Sequence, residues 1–338
     1  MSSLEKTLSK IQKNVADGSF YEAQQMFKTV YARYRNKKAL TDSYTLAEEG
    51  ARLQLTKGQL NCGIELALLL VESYIEDKAE PSTENLDRLL SVYTAFPEPP
   101  TQGGTWEALQ GGSPSGNSKE SSSSSDGNGS GAGTQPGFPV KECVKFLMLG
   151  VKWLGRCSGS SDQIQHLHGK AAEYIWQCMG IPGFGWATTH FVRADNTASF
   201  AAAIIQCMEQ GSPAEEDLFI SRACLQMLAV TTPDKKSRQL QGCDELLAEL
   251  EMFRGGRPFP ETPLMHFTTM LLKALKKGSL ELEQMLCCKY KHAIERDVLF
   301  PHLLAAVEEV FLGVRPASRG GLADMMSNLM QGLFMGEA

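Results

Sequence analysis

The chain has 338 residues, 42% apolar and 21% charged, the balance of an ordinary soluble protein. Its net charge of −6 argues against a general nucleic-acid binder. Nine cysteines, an odd number with no Cys-x-x-Cys pair, read as reduced thiols in the cytosol rather than a disulfide framework.

Leu4, Leu8, Ile11 and Val15 form one stripe of a first helix. Phe20, Ala23, Phe27, Val30 and Tyr34 mark the buried stripe of a second. Gly18 stands between them, where the chain must reverse and only glycine enters the left-handed conformation without a Cβ penalty. So short a connection makes the two helices antiparallel. The same punctuation recurs at Gly58, 40 residues on, and again at Gly278. A helical pair cannot bury both faces alone, so such hairpins stack.

The pattern predicts a third helix over 40–55, a fourth over 60–75, and a fifth capped by Ser82 or Thr83 and ended by Pro97, Pro99 and Pro100. Residues 98–137 are a different material. Ser121–Ser125 is a serine run, and Gly127, Gly129, Gly131 and Gly133 alternate after it. With little apolar surface to offset chain entropy, this insert is expected to be disordered. Helical pattern resumes at Pro139 and continues over 162–179, 187–193 and 198–208. Ser212-Pro213-Ala214-Glu215 is a strong start signal for a helix to about Val230. Further helices are expected over 244–253, 263–276, 280–293 and 300–311. Gly313 and Pro316 end the last of them, before a glycine- and methionine-rich tail over 317–338. No stretch alternates convincingly with period two, so the chain reads as all-α, a tetratricopeptide-like α-solenoid with a disordered insert. Its divisions are 1–97, 98–137, 138–316 and 317–338. Short hairpins near 232–240 or 254–262 stay open. No apolar run approaches the ~20 residues of a bilayer span, and the N-terminus has no signal-peptide core.

Catalytic and metal constellations are sparse. His166 and His168 point different ways on a helix and have no evident third ligand. Cys287 and Cys288 diverge in the same way and read as buried structural thiols. The glycines at 127–133 have no preceding strand and no Gly-Lys-Ser/Thr ending, so they make no phosphate loop. No Gly-x-Ser-x-Gly elbow occurs, and nothing assembles a nucleophile, base and oxyanion hole. No enzyme, cofactor or metal is expected.

The surface signal is charge. Residues 1–40 carry eight Lys/Arg against three acidic residues, +5, which leaves −11 for the remainder. Lys6, Lys10 and Lys13 share one helical face, and Arg33 and Arg35 lie at the far end of the partner helix. This is either a solvated face or a docking patch for an acidic protein. The tail places Leu322, Met326, Leu329, Met330 and Leu333 on one face, which either folds back or receives a partner.

Several segments together resemble one family. Asp-Gly-Ser-Phe-Tyr-Glu-Ala-Gln-Gln at 17–25 with Arg33-Tyr34, and Gly50-Ala51 through Lys57-Gly58-Gln59, Glu65-Leu66-Ala67 and Val71-Glu72, are similar to the first two hairpins of the Golgi-to-ER traffic protein four family. Lys152-Trp153, Pro258-Phe259-Pro260-Glu261-Thr262-Pro263-Leu264, Lys289-Tyr290, Arg296-Asp297 and Phe311-Leu312-Gly313-Val314-Arg315-Pro316 are similar to later parts of it. Order and spacing carry the match, not any one motif. Two departures stand out: the insert at 98–137 replaces a short connection, and 162–196 keeps the helical plan but few family residues.

The resemblance implies a non-catalytic cytosolic adaptor for tail-anchored membrane proteins. In it, basic N-terminal helices dock a targeting ATPase, carried over here to Lys6 and Lys10 and by extension to Lys13, Arg33 and Arg35. The C-terminal half is implied to hold a ubiquitin-like-domain protein or a BAG-type chaperone. The candidate surface for that partner is the Arg257–Pro260 loop with Phe259, beside helices carrying Phe267, Asp297 and Phe311. Phe259 has an alternative reading as a plug beneath the next helix. No nucleic acid and no direct membrane insertion are implied. The alternative function is a generic helical-repeat scaffold of another cytosolic assembly.

Overall fold

A computed structural model describes residues 3–98 and 138–314. The insert, from 99 on, and the methionine-rich tail lie outside the described residues. Contacts divide the chain into two compact units, one of residues up to 167 together with 177–180, the other of 168–176 and 181 onward.

The first unit opens with four helices in register: α1 (Ser3–Ala16), α2 (Phe20–Asn36), α3 (Leu40–Thr56) and α4 (Leu60–Glu76). Their ends are one motif repeated. Gly18, Lys38, Gly58 and Lys78, spaced 20 residues apart, all have positive φ, between 51° and 82°. At each, the next N–H returns to the carbonyl five residues back, as Ser19 to Asn14 (2.9 Å), Ala39 to Tyr34 (3.0 Å), Gln59 to Gln54 (2.9 Å) and Ala79 to Tyr74 (2.9 Å). These are Schellman turns, which satisfy the last carbonyls and reverse the chain. Glycine marks only two of the four, so the sequence shows half of the punctuation.

α3 is sandwiched between α2 and α4. Gly50 and Gly63 permit the close approach. A Cβ on Gly50 would lie 2.9 Å from Leu66 Cδ1 and Phe27 Cγ, and one on Gly63 2.6 Å from Leu55 Cγ. α5 (Thr83–Tyr93) is capped by Ser82, whose hydroxyl accepts from the Asn85 N–H. α6 (Val140–Arg156) packs on α4, so the helix beyond the insert belongs with those before it. Trp153, fully buried, seals this contact with its ring 4.8 Å from that of Tyr74, which meets Tyr44 edge-on at 4.8 Å.

α7 (Ser161–Met179) contributes residues to each unit. The second unit continues with α8 (Phe184–Phe191), α9 (Thr197–Gln210), α10 (Glu216–Ala229), α11 (Lys236–Phe253), α12 (Pro263–Lys277), α13 (Leu280–Lys289), α14 (Lys291–Ile294) and α15 (Phe300–Val307). α10 is its axis and touches α9, α11, α12 and α15. Its buried Ile220, Cys224 and Leu228 meet a core that includes Leu250, Phe267 and Phe300. Thr262 caps α12 with Pro263 in its first turn, and Ser279 caps α13.

The all-α, hairpin-by-hairpin plan is the one observed, and no strand occurs among the described residues. The segments held open as hairpins are a Pro233–Lys235 3-10 turn running into α11, and a loop. Several boundaries differ from the sequence expectation; α8, for one, starts at Phe184 rather than 187. α11 starts at Lys236 rather than 244, because its first turn carries no apolar stripe. The 280–293 helix breaks at Tyr290 (φ −103°, ψ 18°) into α13 and α14. α15 widens into a π turn, Glu308–Leu312, before Gly313 ends it at φ +73°. All nine cysteines are free thiols, but Cys287 is half-buried and Cys288 exposed, so the expectation that both are core thiols is corrected. No described helix is long and apolar enough to cross a membrane.

Candidate protein-interaction surfaces

The first surface is built by α1 and α2. Ile11, Val15, Ala23 and Phe27 turn inward, which leaves the opposite faces to solvent. Lys6, Lys10 and Lys13 are exposed there, as are Arg33, Lys37 and Lys38 at the far end of α2. No ion pair to a described residue holds Lys6, Lys10, Lys13 or Arg33. The Arg33 guanidinium lies 5.9 Å from the Tyr34 ring. Unpaired and exposed, these cations project a positive field that steers encounter and sets orientation.

Two cations of the same hairpin are committed elsewhere. Lys28 hydrogen-bonds Glu65 on α4 and thereby lowers the Glu65 carboxyl pKa. Arg35, expected in the docking patch, binds Asp77 and reaches Glu76 at 3.2 Å. Asp77 also accepts from the Tyr44 hydroxyl at 2.8 Å. Arg35 is thus a brace from α2 to the end of α4. Its partner lies 42 residues away, which no local pattern reveals.

The second surface surrounds the loop between α11 and α12. Arg254 organises it, donating to Glu216 at 2.7 Å and to the Pro258 carbonyl at 3.4 Å, with its guanidinium 5.8 Å from the Phe259 ring. Phe259 is therefore half-buried, leaning on a cation rather than plugging the core. Met252 and Phe253 beside it at the end of α11 are 62% and 46% exposed. Sequence reading missed them because they prolong the apolar stripe of Leu246 and Leu250 and read as core. Around the start of α12, Pro263, Lys289, Tyr290, His292, Ala293 and Arg296 line an open depression of about 300 Å³.

The other three residues expected on this surface lie inside it. Phe267 is fully buried, its ring 6.0 Å from Tyr290. Phe311 is buried at the π turn. Asp297 is buried and accepts from Arg222 at 2.7 Å and from the Leu299 N–H at 2.9 Å. They support the surface and offer a partner no area of their own.

His168 resolves the histidine pattern. Its Nδ1 lies 3.1 Å from Nδ1 of His190, on α8. Burial drives both imidazoles toward the neutral form, His168 down to about 3 and His190 to about 4, with the Arg193 charge adding to each. One ring therefore donates and the other accepts. His190 sits 22 residues from His168, out of reach of motif reading.

Comparison with known proteins covers nearly all of this chain. The family model described as Golgi to ER traffic protein 4 matches residues 37–330. Protein GET4 of Arabidopsis thaliana is 27% identical over 97% of this chain and 93% of its own length. The Golgi to ER traffic protein 4 homolog of Homo sapiens is 25% identical over 96% and 85%. Among solved structures, the crystal structure of C. therm. Get4 superposes with a TM-score of 0.70, covering 97% of this chain and 96% of that one at 21% identity, a likeness of fold.

Proposed function

Because this chain belongs to the Golgi to ER traffic protein 4 family, we propose that it is a non-catalytic cytosolic adaptor in the targeting of tail-anchored membrane proteins to the ER. In this reading the exposed cations of α1 and α2, Lys6, Lys10, Lys13 and Arg33 extended by Lys37 and Lys38, dock the targeting ATPase. A ubiquitin-like-domain or BAG-type co-chaperone is held by the α11–α12 loop, through Phe259, Met252 and Phe253. The adaptor then raises the effective concentration of loaded co-chaperone at the ATPase and does no chemistry of its own. The observation that carries the proposal is a row of exposed cations on α1 that bind nothing within the described chain, in a family named for Golgi-to-ER traffic.

The test is binding of the purified ATPase. Lys6→Glu with Lys10→Glu should weaken it and leave helical content and melting temperature unchanged, since both side chains are solvated. Affinity should also fall with added salt, because exposed charges are screened beyond roughly 8 Å at physiological ionic strength. Arg35→Ala should do the reverse, lowering the melting temperature through its lost brace. Full affinity in the double lysine variant would leave α1 as an ordinary solvated helix.

A further inference from the structure

α13 and the π turn that ends α15 bring together three side chains that no part of the adaptor reading uses. One donor atom each from Glu283, Cys287 and Glu308 lies within 4.8 Å of the other two. Glu283 and Cys287 are four residues apart on α13 and so share a face. Glu283 is fully buried. Its Oε1 accepts from the Cys287 thiol at 2.8 Å, while Oε2, also buried, has no donor facing it unless Glu308 carries a proton. Glu308 is half-buried and faces the same carboxylate. Burial, then the Glu283 charge and a hydrogen bond between the two carboxyls, raises the Glu308 pKa, and burial with the Glu283 hydrogen bond raises that of the thiol.

A fully buried carboxylate with an unpaired oxygen is costly unless something fills the gap. A proton shared with Glu308 would satisfy the two carboxyls alone. A cation satisfies both carboxyls and takes the thiol sulfur, which already lies against Glu283, as a third donor. The π turn, a local widening that recurs at functional sites, carries the third donor. We infer that Glu283, Cys287 and Glu308 form a binding site for a single divalent cation of borderline softness, of which zinc is the natural example. One sulfur and two carboxylate oxygens suit zinc and cadmium, whereas magnesium and calcium prefer all-oxygen shells. Three protein ligands leave a fourth position for water. Binding exchanges the thiol proton for the metal, together with the carboxyl proton where the pair holds one, and releases them to solvent. The ion ties α13 to the end of α15.

The test is a cadmium titration of the reduced, metal-stripped full-length protein, followed by the ultraviolet thiolate-to-cadmium charge-transfer band and by proton release in weak buffer. The expected result is a band that saturates at one equivalent, is removed by zinc but not by magnesium, and accompanies a rise in melting temperature. Cys287→Ser should abolish the band. Glu308→Gln, at a half-buried position that tolerates the change, should weaken zinc binding by about tenfold or more. Cys288→Ser should leave both intact. The site is overturned if the band follows Cys288 instead of Cys287. It is equally overturned if zinc leaves the wild-type melting temperature unchanged while Glu308→Gln raises it at neutral pH, the mark of a carboxyl pair that only shares a proton.

Discussion

Trp153 donates its indole N–H to the carbonyl oxygen of Ala79 at 2.8 Å, a buried bond between residues 74 positions apart. Ala79 closes the Schellman turn of α4, and Trp153 lies near the end of α6, so the bond fastens helices on opposite sides of the insert. Phe96 and Phe146, with ring centroids 5.7 Å apart, make a second such contact. The helices around the insert therefore close on one another directly. Replacing residues 101–134 by a short Gly/Ser linker should leave a single cooperative melt, since loop length enters stability only at about 0.6 kcal/mol per doubling. Trp153→Phe, in contrast, strands the Ala79 carbonyl and should cost roughly 1–3 kcal/mol in chemical denaturation. A linker variant that melts in two steps would place the insert within the core.

Gly63 offers a sharper test of the packing between α3 and α4. In an open helix, Gly→Ala gains up to ~1 kcal/mol of propensity. Here the added methyl meets Leu55 Cγ at 2.6 Å and the Leu55 backbone nitrogen at 2.9 Å, and the backbone cannot step aside as a side chain does. Overpacking should win, and Gly63→Ala should destabilise by about 1–3 kcal/mol in urea melts. Gly155→Ala, with nothing within 4 Å, is the control and should be neutral or stabilising.

The pair of buried His190 and half-buried His168 sets a pH dependence with a definite sign. An unfolded histidine takes its proton near the ordinary 6.5, whereas in the fold His190 takes it only at about 4 and His168 at about 3. The unfolded state thus binds more protons throughout the interval, and stability falls as pH drops from about 6.5 towards 3. Above the upper limit the contribution is complete. At about 1.4 kcal/mol per pKa unit, the loss is on the order of several kcal/mol across the window. Urea melts between about pH 7 and pH 4 should show a shallower slope in His190→Gln than in the wild type. Equal slopes would mean that His190 takes its proton in the fold as readily as in the unfolded chain.

Phe259→Ala separates docking from packing on the second surface. The ring leans on Arg254, which Glu216 and the Pro258 carbonyl hold in place without it. The variant should lose affinity for the co-chaperone, by on the order of 2 kcal/mol if the ring is fully covered by the partner, with little change in melting temperature. A melting temperature that falls while affinity holds would return Phe259 to the core.

The hairpins were legible because their apolar stripes repeat and glycine marks two of the turns. Lys38 and Lys78 adopt the same left-handed backbone without a glycine to announce it, and Tyr290 breaks a helix with neither glycine nor proline. Of the site residues, Lys6, Lys10, Lys13 and Arg33 stand where charge patterning put them, because exposure on an amphipathic helix follows from period alone. Arg35, Phe267, Asp297 and Phe311 do not offer a surface, since their fates depend on Asp77, Tyr290, Arg222 and the π turn. Partners brought together by tertiary packing leave no local trace. The trio of Glu283, Cys287 and Glu308 escaped for the same reason, as did His190.

The even spacing of Gly18, Lys38, Gly58 and Lys78 bears on how the chain is made. Each helix finds its first partner in the next one to be synthesised, so no early contact waits for a distant segment. At bacterial-to-eukaryotic elongation rates of about 5–20 residues per second, the α1–α2 hairpin is synthesised within roughly 2–8 s. The third and fourth helices cover its apolar side over a similar interval. The cationic face of α1 is thus assembled while most of the chain, the insert included, is still untranslated, and nascent-chain pull-downs should find it able to engage an acidic partner before termination.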